Sequence, residues 1–375
     1  MTTIAFAGGG TGGHLFPALA IARAVTAERP DWQVAFAGST RGVEATVLPE
    51  REVPHRLFPF EPIHRTRWWR NARWPFLAAR LVREVDAWLD EVQPSAVIGT
   101  GGYVSGPVLW RAARRGLPTA IAELDVRPGI ATRLLAPRVD EIWLAVAEAR
   151  AGLPRRAQGR AVVTGAPIAP PERDRRPAAI AALGLDPSQP VIVVTGGSQG
   201  SLALNRAVAE WLAHGGGSAR QVVWATGRAT HAQFAALHAP PAVQVIPFID
   251  PMADAWAVCD LAVARAGMMT LSELAAWGIP AILVPLPTAA ADHQTHNALA
   301  AEASGAARCL RQADLSGARL GVEVDAVLAD PATRDAMAAA ALRRGRPDAA
   351  AEIAGRVVAM TENGEQRTEN GGSVP

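Results

Sequence analysis

Three glycine-rich turns carry most of the chemistry that can be read from this chain. They are Gly8-Gly9-Gly10-Thr11-Gly12-Gly13-His14, Gly99-Thr100-Gly101-Gly102-Tyr103 and Thr195-Gly196-Gly197-Ser198-Gln199-Gly200-Ser201. Each follows an apolar run of strand length, and the first and third open a helical pattern. Such turns bring bare backbone N–H groups and the positive end of a helix up to phosphate. His14, at a turn-to-helix junction, is placed to accept a proton from a hydroxyl. Capping of the helix is its plain structural alternative. Three such turns, divided between two halves of the chain, predict a cleft that handles more than one diphosphate.

Other groups compete with or extend this reading. Gly8, Gly10 and Gly13 formally satisfy G-x-G-x-x-G, but the second strand ends Ala37-Gly38-Ser39-Thr40-Arg41, without the acid that would hold a dinucleotide ribose. An oxidoreductase would also leave the third turn without a purpose. Thr270 and Glu273 fit a capping box, and a carboxylate there could equally accept ribose hydroxyls. Asp292-His293-Gln294 starts another helix, with Asp292 as its N-cap. Between His64 and Leu77 stand three Trp and four Arg. That mixture suits a membrane interface, single-stranded nucleic acid, or Trp packed under a loop.

Short apolar runs alternating with helical patterns must position these groups, the pattern of parallel sheets with crossover helices. In the first half the strands are Thr3–Ala7, Val34–Ala37, Ala96–Thr100, Thr119–Ala122, Glu141–Leu144 and Ala161–Thr164, with helices at Pro17–Glu28 and Leu77–Glu91. The pattern restarts with Val191–Thr195, Gln221–Ala225, Val243–Ile246, Leu261–Ala264 and Ala281–Val284. The fold expected is α/β, with two Rossmann-like, doubly wound parallel-sheet domains facing across a cleft. The domains are 1–165 and 166–348, with a hinge at Gly165–Pro171. A helix over 349–360 returns to the first domain, and the polar tail 361–375 reads as disordered.

Composition narrows the chemistry. All 37 basic residues are Arg, which removes Walker A and Schiff-base mechanisms. Residues 1–165 hold 21 Arg against 15 acids, and the remainder 16 against 20, so the first half is the basic one. Cys259 and Cys309 are too few for a disulfide framework or zinc knot, which fits a reducing compartment. No uninterrupted apolar run of about 20 residues exists to span a bilayer. With no Asp-x-Asp, neither metal nor cofactor is expected.

Taken together, the motifs resemble the MurG family of peptidoglycan N-acetylglucosaminyltransferases, over about residues 1–360. The resemblance rests on Gly9–His14, Gly101-Gly102-Tyr103-Val104-Ser105-Gly106-Pro107, Gly196–Gly200, Phe248-Ile249-Asp250-Pro251-Met252, Thr270–Glu273 and Asp292-His293-Gln294-Thr295. It implies the GT-B fold and inverting, metal-independent transfer of N-acetylglucosamine from UDP to the C4 hydroxyl of lipid I, giving lipid II. His14 is implied as general base, with Glu123 orienting the hydroxyl. In the second domain the backbone at Ile249 would read uracil, Glu273 would hold the ribose and Gln294 the sugar. Ser198, Gln199 and the helix start Met268-Met269-Thr270-Leu271-Ser272 would hold the diphosphate. Thr11, Gly12 and Gly13 would meet the incoming sugar, and Gly101, Gly102, Tyr103 and Ser105 the acceptor. Trp68, Trp69, Arg70, Trp74 and Phe76 fall at the family's membrane-associating patch, favouring anionic lipid of the inner leaflet over nucleic acid. The expected location is therefore peripheral, on the cytoplasmic face of the bacterial membrane.

The chain departs from the family pattern on the donor side. It reads Ala122-Glu123-Leu124-Asp125 where the family has His-Glu-Gln-Asn, which puts Asp125 in place of a donor-contacting Asn. Ala169 stands in place of an Arg, and Ala266 in place of a Ser. A paralogous transferase with another sugar or acceptor, or a non-enzymatic nucleotide-sugar sensor, is the alternative.

Overall fold

The computed structural model describes residues 1–59, 74–197 and 199–369. The chain divides into two compact units, residues 1–168 with the chain from Asp348 onward, and residues 169–347. In the first, β1 (Thr3–Gly8), α1 (Gly12–Glu28), β2 (Gln33–Ser39), α2 (Glu44–Glu50), β3 (His55–Phe58) and α3 (Trp74–Val92) come first. They are followed by β4 (Ala96–Gly101), α4 (Gly102–Arg114), β5 (Thr119–Glu123), α5 (Ile130–Leu135), β6 (Glu141–Leu144) and β7 (Ala161–Val163). The second unit runs α6 (Arg176–Ala182), β8 (Val191–Thr195), α7 (Leu202–Ala213), β9 (Gln221–Ala225), β10 (Val243–Ile246) and α8 (Met252–Val258). It continues with β11 (Leu261–Ala264), α9 (Met268–Trp277), β12 (Ala281–Leu283), α10 (His293–Ala303), β13 (Ala307–Cys309), α11 (Gly317–Leu328) and α12 (Pro331–Arg344). The last helix is α13 (Ala349–Glu369).

The first sheet has the order β3-β2-β1-β4-β5-β6-β7 and the second β10-β9-β8-β11-β12-β13. Every pairing within them is parallel. Strand β1 shows why both faces need helices. Ile4 and Phe6 enter the core under α1 and α13, while Ala5 and Ala7 enter the core under α3 and α4. In β8, Ile192 and Val194 pack towards α7 and α11, and Val191 and Val193 towards α8 and α9. Strands buried on both sides read as continuous apolar runs, which is why these were legible.

In each sheet the chain order reverses beside the first strand, between β1 and β4 and between β8 and β11. Such a switch point splays the following loops apart and leaves a crevice at the strands' C-terminal ends. All three glycine turns leave strands that border a switch point.

Several expectations change. The second glycine turn also opens a helix, α4. The short strands β3 and β13 were not anticipated; both lie at sheet edges, and His55, Arg56 and Arg308 leave neither with a continuous apolar run. The predicted tail is helical as far as Glu369. Thr361 is fully buried with its hydroxyl donating to Val357 O at 2.7 Å, and Glu362 pairs with Arg29 at 2.8 Å. Packing on α1 thus stabilises a segment whose polarity reads as disorder; residues 370–375 lie outside the described residues. Trp68, Trp69 and Arg70 also lie outside them, and of Trp74 and Phe76 the structure describes only the helical backbone of α3.

Ile353, Ala354 and Val357 of α13 are buried against α1 in the core that Ile4 and Phe6 also enter. Ile353→Ala should therefore cost about 2–5 kcal/mol. Hydrogen exchange should accelerate in α1 and leave β8–β12 unchanged.

Candidate active site

In the first unit the β1–β4 switch point builds its chemistry around one imidazole. The register between the strands runs Ala7↔Gly99 and then Gly8↔Gly101, so Thr100 is an extra residue, a bulge. The bulge aims both polar groups of Thr100 at His14. His14 Nδ1 lies 3.1 Å from Thr100 O, and Thr100 Oγ1 donates to His14 O at 2.7 Å. A carbonyl only accepts, so Nδ1 carries a proton, and in the neutral form of the ring Nε2 is the lone-pair nitrogen. His14 is the third residue of α1, behind the N-cap Thr11, so the capping alternative is set aside.

The glycines of the second turn are explained by that ring. A Cβ at Gly101 would lie 2.6 Å from His14 Nδ1, and one at Gly102 would lie 3.2 Å from His14 Cδ2. Both also have positive φ, +101° and +75°. Ser105, expected to meet an acceptor, is instead buried. Its Oγ lies 2.5 Å from Ala7 O and accepts from Gly101 N at 3.0 Å, tying the turn to β1. Tyr103 remains partly exposed, its ring against Gly10 and its hydroxyl 2.9 Å from Ser39 Oγ. Thr11 and Gly13 are exposed at the start of α1, where first-turn N–H groups lack helical acceptors.

The first turn is not an empty phosphate cradle. Fully buried Glu44 accepts from Gly10 N with both carboxylate oxygens, at 3.0 and 2.9 Å, and from Ser39 N at 2.9 Å. This residue was missed because the acid was sought at the end of the second strand. It stands five residues later, at the start of α2. Glu123 is likewise committed to its own loop, accepting from Asp125 N at 3.1 Å, Gly129 N at 3.0 Å and the Thr132 side chain. Burial pushes its carboxyl up and those bonds partly offset the effect. It therefore shapes the half-buried Asp125 loop rather than presenting an open carboxylate to a hydroxyl.

In the second unit, Ser201 caps α7, its Oγ accepting from Leu204 N at 3.3 Å. Gly200 has φ +71°, and a Cβ there would lie 2.5 Å from Thr226 O, so the third turn is pressed against the β9 loop. Gln199 is exposed on the turn; Ser198 lies outside the described residues. Beneath it is a group whose role the sequence did not suggest. Buried Arg265 donates to Val284 O (3.0 Å), Pro285 O (2.9 Å), Ser201 Oγ (2.7 Å) and Gln312 Oε1 (2.6 Å). These four acceptors are neutral, so the guanidinium keeps its positive field, and desolvation lowers its pKa.

Helix α9 begins at Met268 behind the extended N-cap Gly267, which makes no side-chain cap bond. Thr270 is therefore inside the first turn, and the predicted capping box does not form. Glu273 accepts from Trp256 Nε1 at 3.1 Å, and burial raises its pKa. The Met268–Ser272 backbone and Glu273 thus share one helix end. Asp292, next to α10, has left-handed φ +55° and bonds Thr295 Oγ1 at 2.6 Å rather than a helix N–H. Gln294 Oε1 accepts from Leu286 N at 3.0 Å, which leaves its amide N–H groups as donors. Ile249 is buried, whereas Phe248 beside it is exposed under the Arg228 guanidinium, 5.7 Å from the ring centre.

The packing of His14 has a direct consequence. Gly101→Ala should displace the imidazole and lower turnover by about 10²-fold. Donor affinity, measured by calorimetric titration of UDP, should stay unchanged.

The chain matches the glycosyltransferase family 28 N-terminal domain over residues 4–144 and the glycosyltransferase family 28 C-terminal domain over 191–353. A protein of Salinibacter ruber is 41% identical over 367 residues, covering 96% of this chain and 97% of its own. It is named UDP-N-acetylglucosamine–N-acetylmuramyl-(pentapeptide) pyrophosphoryl-undecaprenol N-acetylglucosamine transferase. A protein of the same name from Carboxydothermus hydrogenoformans is 37% identical, with 95% and 97% coverage. The crystal structure of Acinetobacter baumannii MurG superposes with a TM-score of 0.76 at 26% identity, covering 96% of this chain and 99% of that one. The two parallel-sheet units are those of the GT-B fold, and the chain belongs to glycosyltransferase family 28, within its MurG family.

Proposed function

We propose that the protein transfers N-acetylglucosamine, with inversion, from UDP-N-acetylglucosamine to the C4 hydroxyl of undecaprenyl-diphospho-N-acetylmuramoyl-pentapeptide. The substrates are those in the names of the MurG relatives. The observation that carries the mechanism is the His14 imidazole, held through Nδ1 by Thr100 O. Its Nε2 takes the hydroxyl proton as the oxygen bonds to C1 of the sugar. The C1–O bond to the β-phosphate breaks, and UDP leaves with the bonding pair.

Roles on the donor side follow from charge. The N-terminal end of α9, together with Arg265 under the third turn, offsets the negative charge that develops on UDP. Glu273 accepts from the ribose hydroxyls, the backbone at Ile249 meets uracil, and Gln294 donates to the sugar. Thr11, Gly12 and Gly13 meet the transferred sugar from the start of α1, beside Tyr103 on the acceptor side. Asp125, in a loop shaped by Glu123, adds negative charge where the family has an amide. Ser198, Gln199 and Met268–Ser272 contact the diphosphate.

The acceptor is lipid-linked, so the reading includes a peripheral seat on the anionic cytoplasmic face of the membrane. Trp68, Trp69, Arg70, Trp74 and Phe76 are the anchoring segment. Among the described residues no helix is long and apolar enough to cross a bilayer.

A UDP-release assay with a lipid I analogue and a panel of UDP-sugars tests the reaction. Release with UDP-N-acetylglucosamine is expected; activity confined to another sugar or acceptor would assign a paralogous reaction. His14→Ala should lose about 2–4 decades of turnover while still binding UDP. Near-normal turnover would remove His14 as base.

A pH profile tests Glu273. Its raised pKa means that the ribose-accepting carboxylate is present above that pKa and lost as pH falls through it. UDP affinity should therefore weaken on acidification, and Glu273→Gln should flatten the profile.

A further inference from the structure

We propose that Glu44 is a positioning residue of the transfer site: its buried carboxylate fixes the first glycine turn and, through Ser39, the Tyr103 hydroxyl, so that the start of α1 presents His14 in one orientation. The proposal rests on the functional reading above. Burying a carboxylate is costly unless its lone pairs are satisfied. Here they are satisfied by the backbone of two separate segments, Gly10 from the β1–α1 turn and Ser39 from the end of β2. The acid therefore acts as a bracket between neighbouring strand ends.

The surroundings are shaped to admit it. A Cβ at Gly38 would lie 2.7 Å from Glu44 Cγ, and Cβ atoms at Gly9 and Gly42 would overlap its carboxylate. Gly10 takes φ +87°, and a Cβ there would lie 2.7 Å from the Tyr103 ring. Gly10 is thus clamped between a carboxylate on its N–H and an aromatic ring on its Cα. Ser39 closes the circuit, donating its N–H to Glu44 while its Oγ meets the Tyr103 hydroxyl and accepts from Arg41 N at 3.2 Å. Tyr103 adjoins Gly101 and Gly102, on which the His14 ring rests. Both turns that hold His14 are therefore referenced to one carboxylate. Because the Gly10 N–H is already engaged by Glu44, a substrate would meet only the amides that follow it in the turn.

Turnover, the KM for donor and acceptor, and the ¹⁵N spectrum of histidine-labelled protein test this in Glu44→Ala, Glu44→Gln and Ser39→Ala, with His14→Ala to assign the resonance. Glu44→Ala should lower kcat by about 10²-fold. The KM for UDP-N-acetylglucosamine should hold, and the His14 Nδ1–H tautomer should give way to an averaged signal. Glu44→Gln keeps one acceptor oxygen for the two amides and should recover part of the loss. Ser39→Ala, which keeps the backbone bonds to Glu44 and removes the hydroxyl link to Tyr103, should lower kcat less than Glu44→Ala and gives the same readouts if that variant does not fold. A folded Glu44→Ala with wild-type kcat and an unchanged His14 signal would overturn the proposal; so would Ser39→Ala with both unchanged. Absence of transfer by the unsubstituted enzyme would instead overturn the functional reading, with the tautomer comparison still testing Glu44.

Discussion

The one-residue bulge at Thr100, where β4 leaves its register with β1, is the constraint on which the placement of His14 depends. It turns a carbonyl and a hydroxyl of one strand towards the first turn of a helix that follows the other. The ring they hold needs space, and Gly101 and Gly102 supply it: a Cβ at either would press on the imidazole. The glycines of the second turn thus serve an imidazole within the protein, in addition to any ligand. A turn that resembles a phosphate cradle can owe its glycines to the packing of its own fold.

The two units handle charge in opposite ways. In the first, buried Glu44 and Glu123 are satisfied mainly by backbone N–H groups, so their negative charge fixes loops in place. In the second, buried Arg265 is satisfied by neutral oxygens, which leaves a positive field under the third turn and near the start of α9. The first arrangement holds an imidazole and a hydroxyl-bearing ring in fixed directions. The second suits a leaving diphosphate, because a fixed cation and helix end need not reorganise as charge develops.

Strands such as Val191–Thr195, Gln221–Ala225 and Leu261–Ala264 were legible to the residue because burial on both faces writes an apolar run. His14 and the three turns were visible for a related reason: glycine clusters after such runs have few other uses. Glu44 and Arg265 were not, since an isolated acid or arginine carries no periodic signal. The Thr270–Glu273 pairing misled in the other direction, because helix α9 starts two residues before its apparent cap. The helical continuation to Glu369 was hidden by polar composition that contact with α1 and Pro118 outweighs.

Local pattern by itself therefore determined the α/β class, the two-part organisation, the glycine turns and the histidine at the end of one of them. Those features follow from burial and backbone sterics, which act over a few residues. Which residues serve as brackets was decided only by the tertiary structure. Parallel strand order sets β1 beside β4, with Thr100 86 residues along the chain from His14, and brings Glu44 from 34 residues away under Gly10. Hydrogen bonds reach about 3 Å in space with no regard to sequence separation, so their partners are known only once the sheets are assembled.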